Sequence, residues 1–236
     1  FDQVRIPREN LLNRYGDVAA DGTYSSEIAS PGRRFFTMLG ALVQGRVSLD
    51  GAATTAAALG LKIAVTYANQ RRQFDSGAGT PEVTLLDYGK HQRRLLPRLA
   101  TVYAQAFAHD EFLKKFDGVF SGRTDTSEER EDLETLAAAL KPLSTWNALD
   151  ILQECREASG GAGFLAENRL VGLRSDLDVY VTFEGDNNVL LQLVGKRLLS
   201  DYASQFKGKD AAALARFAVG STAGKVFHGA GLRQLG

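Results

Sequence analysis

Three long stretches, 33–74, 84–117 and 127–158, repeat apolar residues every three or four positions, and this limits the chain more than any other feature. In the first, Phe35, Leu39, Leu42, Val43, Val47 and Leu49 fall on one side, before an alanine-rich run to Leu61 and Val65. In the second, Leu85, Tyr88, Leu95, Leu99, Val102, Tyr103, Ala106 and Phe107 keep the same step. That spacing is the signature of amphipathic helices, and no series of alternating strands accompanies it. The fold class is therefore all-α, an antiparallel bundle of four to five helices. The alanines and glycines of the first stretch let neighbours approach closely, as in an inner helix. Pro97 and Pro142 lie inside the second and third helices and are expected to kink or divide them.

The remaining segments are shorter. "FDQVRIPRENLL" begins without Met and reads as the end of a strand with an exit loop at Pro7, as expected of a piece cut from a longer polypeptide. Residues 13–32 are a loop rich in Gly, Ser and Asp, with a hairpin around Asp21-Gly22. Residues 164–183 lack clear periodicity. A helix then starts near Asp186 or Asn187, either of which suits an N-cap, and runs to about Phe206; a last one spans 210–219. The expected division is 1–32 as an exit strand and linker, 33–206 as the helical bundle, and 207–236 as the start of a further region.

Composition removes several function classes. Lys plus Arg and Asp plus Glu are equal at 28 each, so no charge excess points to nucleic acid or an anionic membrane. No apolar run reaches the ~18–20 residues of a membrane span. Cys155 is the single cysteine; it cannot form an internal disulfide and reads as a half-buried helical thiol. His91, His109 and His228 are scattered and read as surface or satisfied histidines, and no Cys/His set has zinc-site spacing, so no metal is expected. "GSTAGKV" (220–226) has too few residues between its glycines, and Val226 where a phosphate loop needs Ser or Thr. "GGAG" (160–163) follows a helix and not a strand, which excludes a Rossmann turn. It reads as a helix C-terminus with Gly160 in a left-handed conformation, its further glycines implying backbone packed closely against something.

Two stretches remain in need of a reason. "NQRRQF" (69–74) puts two arginines at a helix end, which suits the helix dipole or, alternatively, recognition of an anion by a guanidinium fork. "VYVTFEGDNNVLLQ" (179–192) places Glu184 between Phe183 and Gly185, although Asp186, Asn187 and Asn188 already supply caps. A structural Glu184 would need a partner such as Arg169 or Arg174. Burial among Val181, Phe183 and Val189 would instead raise its pKa and make it a base.

Taken in order, these segments resemble the acyl-CoA dehydrogenase and acyl-CoA oxidase superfamily over essentially the whole chain. "FDQVRIPRENLL" resembles the exit from that family's β-domain. "QGRVSLDGAATTAAALGLKIAVTYANQRRQF" resembles the first helix of its C-terminal domain, "CREASGGAGFLAENRL" the double-glycine turn, and "TFEGDNNVLLQ" the segment with the catalytic base. "TFEGDN" and "LLDYGKHQRRLLP" are similar to the oxidase branch; Asp186 and Glu157 depart from the dehydrogenase pattern. The resemblance implies FAD as cofactor, a fatty acyl-CoA substrate and oxidation to trans-2-enoyl-CoA, with O2 reduced to H2O2. It makes Glu184 the base for the α-proton, its backbone N–H a donor to the thioester oxygen, and Gly185 the residue that lets the backbone turn there. It places Arg71, Gln73 and Phe74, with Gly160 and Gly161, on the FAD of a neighbouring subunit in a homodimer. Asn188 falls on the FAD of its own subunit, and Arg46 near the acyl-CoA thioester. The alternatives are a dehydrogenase using an electron-transfer flavoprotein, a DNA-damage-type homologue, or a non-catalytic helical dimerisation module. The compartment expected is cytoplasmic for a bacterial source and peroxisomal for a eukaryotic one. The piece alone is expected to be inactive and to bind FAD weakly or not at all.

Overall fold

The structure, a computed structural model, describes residues 1–40, 42–75, 77 and 79–204. The helix expected over 210–219, "GSTAGKV" and His228 lie outside the described residues. Two compact units divide the chain, Phe1–Leu191 and Gln192–Gly236. The helices are α1 (Pro31–Leu39), α2 (Leu42–Gln70), α3 (Gly89–Phe120), α4 (Ser127–Ala158), α5 (Leu170–Asp178) and α6 (Asn187–Ser204). The hairpin expected at Asp21-Gly22 is present as β1 (Asp17–Val18) paired antiparallel with β2 (Tyr24–Ser25). In the second unit, α6 carries an Arg197 Nε–H bond to Asp201 Oδ1 at 2.9 Å, one helical turn on.

Sequence periodicity becomes packing in α2, α3 and α4. One apolar cluster joins Ala53, Ala57, Leu61, Ala64 and Ala68 of α2 to Leu95 and Val102 of α3 and Ala148, Ile151, Leu152 and Cys155 of α4. A second joins Val43 and Val47 to Phe112, Val119, Leu133 and Ala137. The order of these residues makes α3 antiparallel to both neighbours, with α2 and α4 running side by side in the same direction. Small residues in α2 permit that approach: a Cβ at Gly60 would lie 2.5 Å from Leu152 Cδ2. Between the clusters runs a polar belt of Asp50 on α2, Gln105 and His109 on α3, and Lys141, Ser144 and Thr145 on α4. Arg98 ties α3 to α4 through Asp150 (3.1 Å) and Glu154 (3.2 Å).

Several boundaries differ from expectation, each for a local reason. The first helix is interrupted at Gly40, whose N–H bonds Thr37 O at 3.3 Å and whose carbonyl receives Val43 N–H at 3.2 Å. It stops at Gln70 and not near Phe74, because Arg72 and Thr84 form a bridge and Gln73 N–H bonds Val83 O. The second begins at Gly89 after a 3-10 turn at Leu85–Asp87. Pro97 and Pro142 divide neither helix. α4 starts where Thr126 caps Glu129 N–H at 3.1 Å. α5 was not legible: nine residues that bury only Leu170 and Leu177 give too short a stripe to show a period. Residues 1–7 form no strand. Among the described residues no helix is long and apolar enough to cross a membrane.

Candidate active site

Glu184 sits in a turn that most residues avoid. Its φ is +56°, followed by Gly185 at +109°, and a left-handed non-glycine residue costs about 1–2 kcal/mol. Two interior cations hold the turn. Arg46 Nε–H donates to Glu184 O at 3.0 Å, and Lys141 Nζ donates to Gly185 O at 2.8 Å. The carboxylate itself lies against α2 at Gly45, where a Cβ would come within 2.6 Å of Glu184 Cδ and 2.8 Å of both its oxygens. Among the described residues Glu184 Oε2 is buried without a hydrogen-bond partner. Among the described residues neither Arg169 nor Arg174 bridges it.

The desolvating wall differs from the expected one. Phe183 and Val189 are 41% and 60% exposed, because the turn directs them outward; α2 backbone at Gly45 takes their place. Asp186 caps α6, its Oδ1 accepting Asn188 N–H at 2.9 Å and Val189 N–H at 3.4 Å. Glu184 is thus free of the capping role.

Lys141 is fully buried at 0% exposure. Its ammonium also donates to Asn187 Oδ1 at 2.8 Å, and Asn187 Nδ2–H donates to Thr145 Oγ1 at 3.0 Å. Burial pulls the Lys141 ammonium down to about 8, with the Arg46 guanidinium pushing the same way and Asp186 and Glu184 opposing. Arg46 stands between the carboxylates of Glu184 and Glu134; burial lowers its pKa and both anions raise it.

The other expected site residues gather elsewhere. Arg71, Gln73 and Phe74 are exposed at the far end of α2, Phe74 with φ +60°. Their backbone is held by Gln73 N–H to Val83 O (3.0 Å), Val83 N–H to Phe74 O (2.8 Å) and Tyr88 Oη–H to Gln73 O (2.7 Å). Gly160 is left-handed as expected, at φ +56°. The close packing expected of the further glycines holds at Gly163, where a Cβ would lie 2.1 Å from Arg156 O, and not at Gly161; among the described residues nothing stands within 4 Å of a Cβ at Gly160 or Gly161. The end of α2 and this turn share a cleft of about 330 Å³ lined by Ile63, Tyr67, Gln70, Ser159, Ala162 and Asn168. Arg46 and Gln70 are separated by about 36 Å of helix, at ~1.5 Å per residue. Asn188, exposed in the first turn of α6, belongs with Glu184.

Residues 39–199 match the family described as the C-alpha1 domain of acyl-CoA oxidase. The chain belongs to that family. It is 47% identical over 204 residues to acyl-coenzyme A oxidase 3, peroxisomal, of Arabidopsis thaliana, covering 86% of this chain and 29% of that protein. An acyl-CoA oxidase structure from tomato matches at TM-score 0.78 and 32% identity over 89% of this chain and 32% of that one. Acyl-CoA oxidase-1 of Caenorhabditis elegans, solved with FAD and ATP, matches at TM-score 0.73 and 31% identity, over 86% and 29% of the two chains. The chain therefore spans about three tenths of the length of the relatives it matches.

Sequence reasoning missed Lys141, Asn187 and Gly45 in this C-alpha1 domain. A signal for Lys141 existed: it continues the buried α4 series Leu133, Ala137, Thr145, Ala148, Leu152, where a lysine is out of place. Gly45 and Asn187 carry no such mark. Of the histidines, His109 Nδ1 lies 2.8 Å from buried Asp50 Oδ2, and burial holds His91 below the ordinary histidine value, helped by Arg94. Cys155 is fully buried, not half-buried, and burial pushes its thiol up to about 12, where it is inert. Among the described residues no group of three His, Cys, Asp or Glu could hold a metal ion.

Proposed function

We propose that this C-alpha1 domain supplies the base of an FAD-dependent acyl-CoA oxidase, and that Glu184 removes the α-proton of a fatty acyl-CoA. The observation that carries the reading is the buried, unpartnered Glu184 Oε2 on a left-handed turn gripped by Arg46. A carboxylate oxygen without a donor is costly in a structural role and suited to receiving a proton. Thioester α-protons are weakly acidic, so the step also needs donors aimed at the developing enolate oxygen. Glu184 N–H, which has no acceptor among the described residues, is matched to that task. Arg46 spends Nε–H on the Glu184 carbonyl, leaving its other nitrogens for the acyl-CoA.

The FAD reading fits the far end of α2. Open space over Gly160 and Gly161 among the described residues, and the exposed Arg71, Gln73 and Phe74, suit a surface that receives an anion. When bound, FAD supplies the acceptor for the β-hydride and returns the electron pair to O2 as H2O2. Because Glu184 and Arg71 lie about a helix length apart, one chain serves two cofactors: Glu184, Gly185 and Asn188 in one site, and Arg71, Gln73, Phe74, Gly160 and Gly161 in the other. That division supports a homodimer. A peroxisomal setting, the compartment in the Arabidopsis relative's name, is proposed for a eukaryotic source.

The test is Glu184→Gln in the full-length protein. Acyl-CoA-dependent H2O2 release should fall by at least ~10²–10⁴-fold, the usual contribution of a general base, while FAD stays bound. Unchanged turnover would eliminate Glu184 as the base. Electron delivery to an electron-transfer flavoprotein, with no oxygen-dependent H2O2, would favour the dehydrogenase alternative.

A further inference from the structure

Lys141 stands on the stripe of α4 that otherwise faces the apolar clusters, and it is fully buried. A cation there is costly to desolvate, and an aliphatic residue of similar size would serve stability at least as well. Its partners form a closed circuit: Nζ donates to Asn187 Oδ1 (2.8 Å), Asn187 Nδ2–H to Thr145 Oγ1 (3.0 Å), and Thr145 Oγ1–H back to Lys141 O (2.8 Å). The circuit fixes where the ammonium stands. From there it reaches out of the core to one further group, the Gly185 carbonyl at 2.8 Å.

That carbonyl is next to the one Arg46 holds. Two consecutive carbonyls, of Glu184 and Gly185, are thus gripped from α2 and from α4. Fixing both sets the two peptide planes that follow the Glu184 Cα, and these restrain the left-handed backbone from which its side chain projects. Without the grip, a left-handed glutamate is free to relax toward a commoner conformation. We propose that Lys141 is a positioning residue for proton abstraction: through Gly185 O it holds Glu184 against Gly45, in the orientation needed to meet the α-carbon of the acyl-CoA. This rests on the reading of Glu184 as the base. Lys141 does not touch the reacting atoms; Asn187 and Thr145 orient it.

The test follows deuterium incorporation at the α-carbon of a saturated acyl-CoA in D2O, with the full-length enzyme kept anaerobic. Exchange reports the proton step apart from electron transfer to O2. Lys141→Met should slow exchange by roughly ten- to a hundredfold, as misplacement of a catalytic group does, with KM for acyl-CoA shifted less than about twofold. Lys141→Gln keeps a donor for Gly185 O and should exchange faster than Lys141→Met; equal loss in the two overturns the hydrogen bond as the cause. A Lys141→Met enzyme that folds, retains FAD and exchanges at the wild-type rate overturns the proposal. If Lys141→Met does not fold, Lys141→Met/Asn187→Leu, which removes donor and acceptor together, carries the same expectation and the same overturning result. Glu184→Gln separates the two claims. Exchange persisting there overturns the base reading and this proposal with it, whereas exchange lost there but intact without Lys141 overturns this proposal alone.

Discussion

At one end of α2, Arg46 and Glu184 are tied together from inside the bundle; at the other, Arg71, Gln73 and Phe74 stand exposed on a segment held by backbone bonds. The first end has a strained residue, a glycine that leaves room for its carboxylate, and two cations, half-buried Arg46 and buried Lys141, on successive carbonyls. The second has a double-glycine turn with no described atom within 4 Å of a Cβ at either glycine. A base must be aimed, and aiming takes rigid partners within the same domain. On the proposed reading a cofactor contact must be available to something arriving from outside, and the side chains at this end are exposed. On that reading the same helix meets both demands because its ends are far apart.

Gly45 is where a substitution should have the largest effect. Replacing a helical glycine with alanine ordinarily stabilises by about 0.5–1 kcal/mol. Here the added methyl would displace the Glu184 carboxylate, so Gly45→Ala should cut turnover roughly a hundredfold while the protein stays folded. Steady-state kinetics beside a melting curve check it; retained activity would show that the carboxylate can act from elsewhere.

The inner end should also carry a pH signature. Burial and the nearby Arg46 hold folded Lys141 near 8 against an ordinary 10.5, with Asp186 and Glu184 opposing. Between those values the unfolded chain binds the extra proton, so this site's contribution to stability is depressed below about pH 8 and recovers as pH rises to 10.5. The melting temperature of wild type minus that of Lys141→Met should therefore climb across that window. A flat difference would show that Lys141 titrates as an ordinary lysine.

Smaller effects belong to the outer end. Arg71→Ala should weaken FAD retention about tenfold, the scale of one charge-assisted hydrogen bond. The α-proton exchange rate per bound flavin should be unaffected, and equilibrium dialysis beside that rate separates the two. Gly160→Ala has space for its methyl but forces φ +56°, so it should cost about 1 kcal/mol by denaturant titration. A loss several times larger would mean the turn is as tightly held as the inner one.

Much of this was legible in advance. Helical stripes placed α2, α3 and α4, Asp186 was one of the two residues offered as the cap of α6 and serves as it, and the surplus acid in "TFEGDN" singled out Glu184. What stayed hidden was what surrounds it. Phe183 and Val189 were expected to bury the carboxylate and instead point outward, while Gly45 does so from far away in sequence. Lys141 left a trace as a lysine on an apolar stripe, but nothing in the stripe said that it faces Gly185.

The sequence by itself determined the all-α class, the register of the long helices and the residue types available for chemistry, because helix formation and amphipathic burial depend on neighbours within a few positions. Tertiary structure decided how Glu184 is held. The bonds that hold it join residues 138 and 44 positions apart; such pairs leave no periodic trace, since they exist only once α2, α4 and the Glu184 turn have packed.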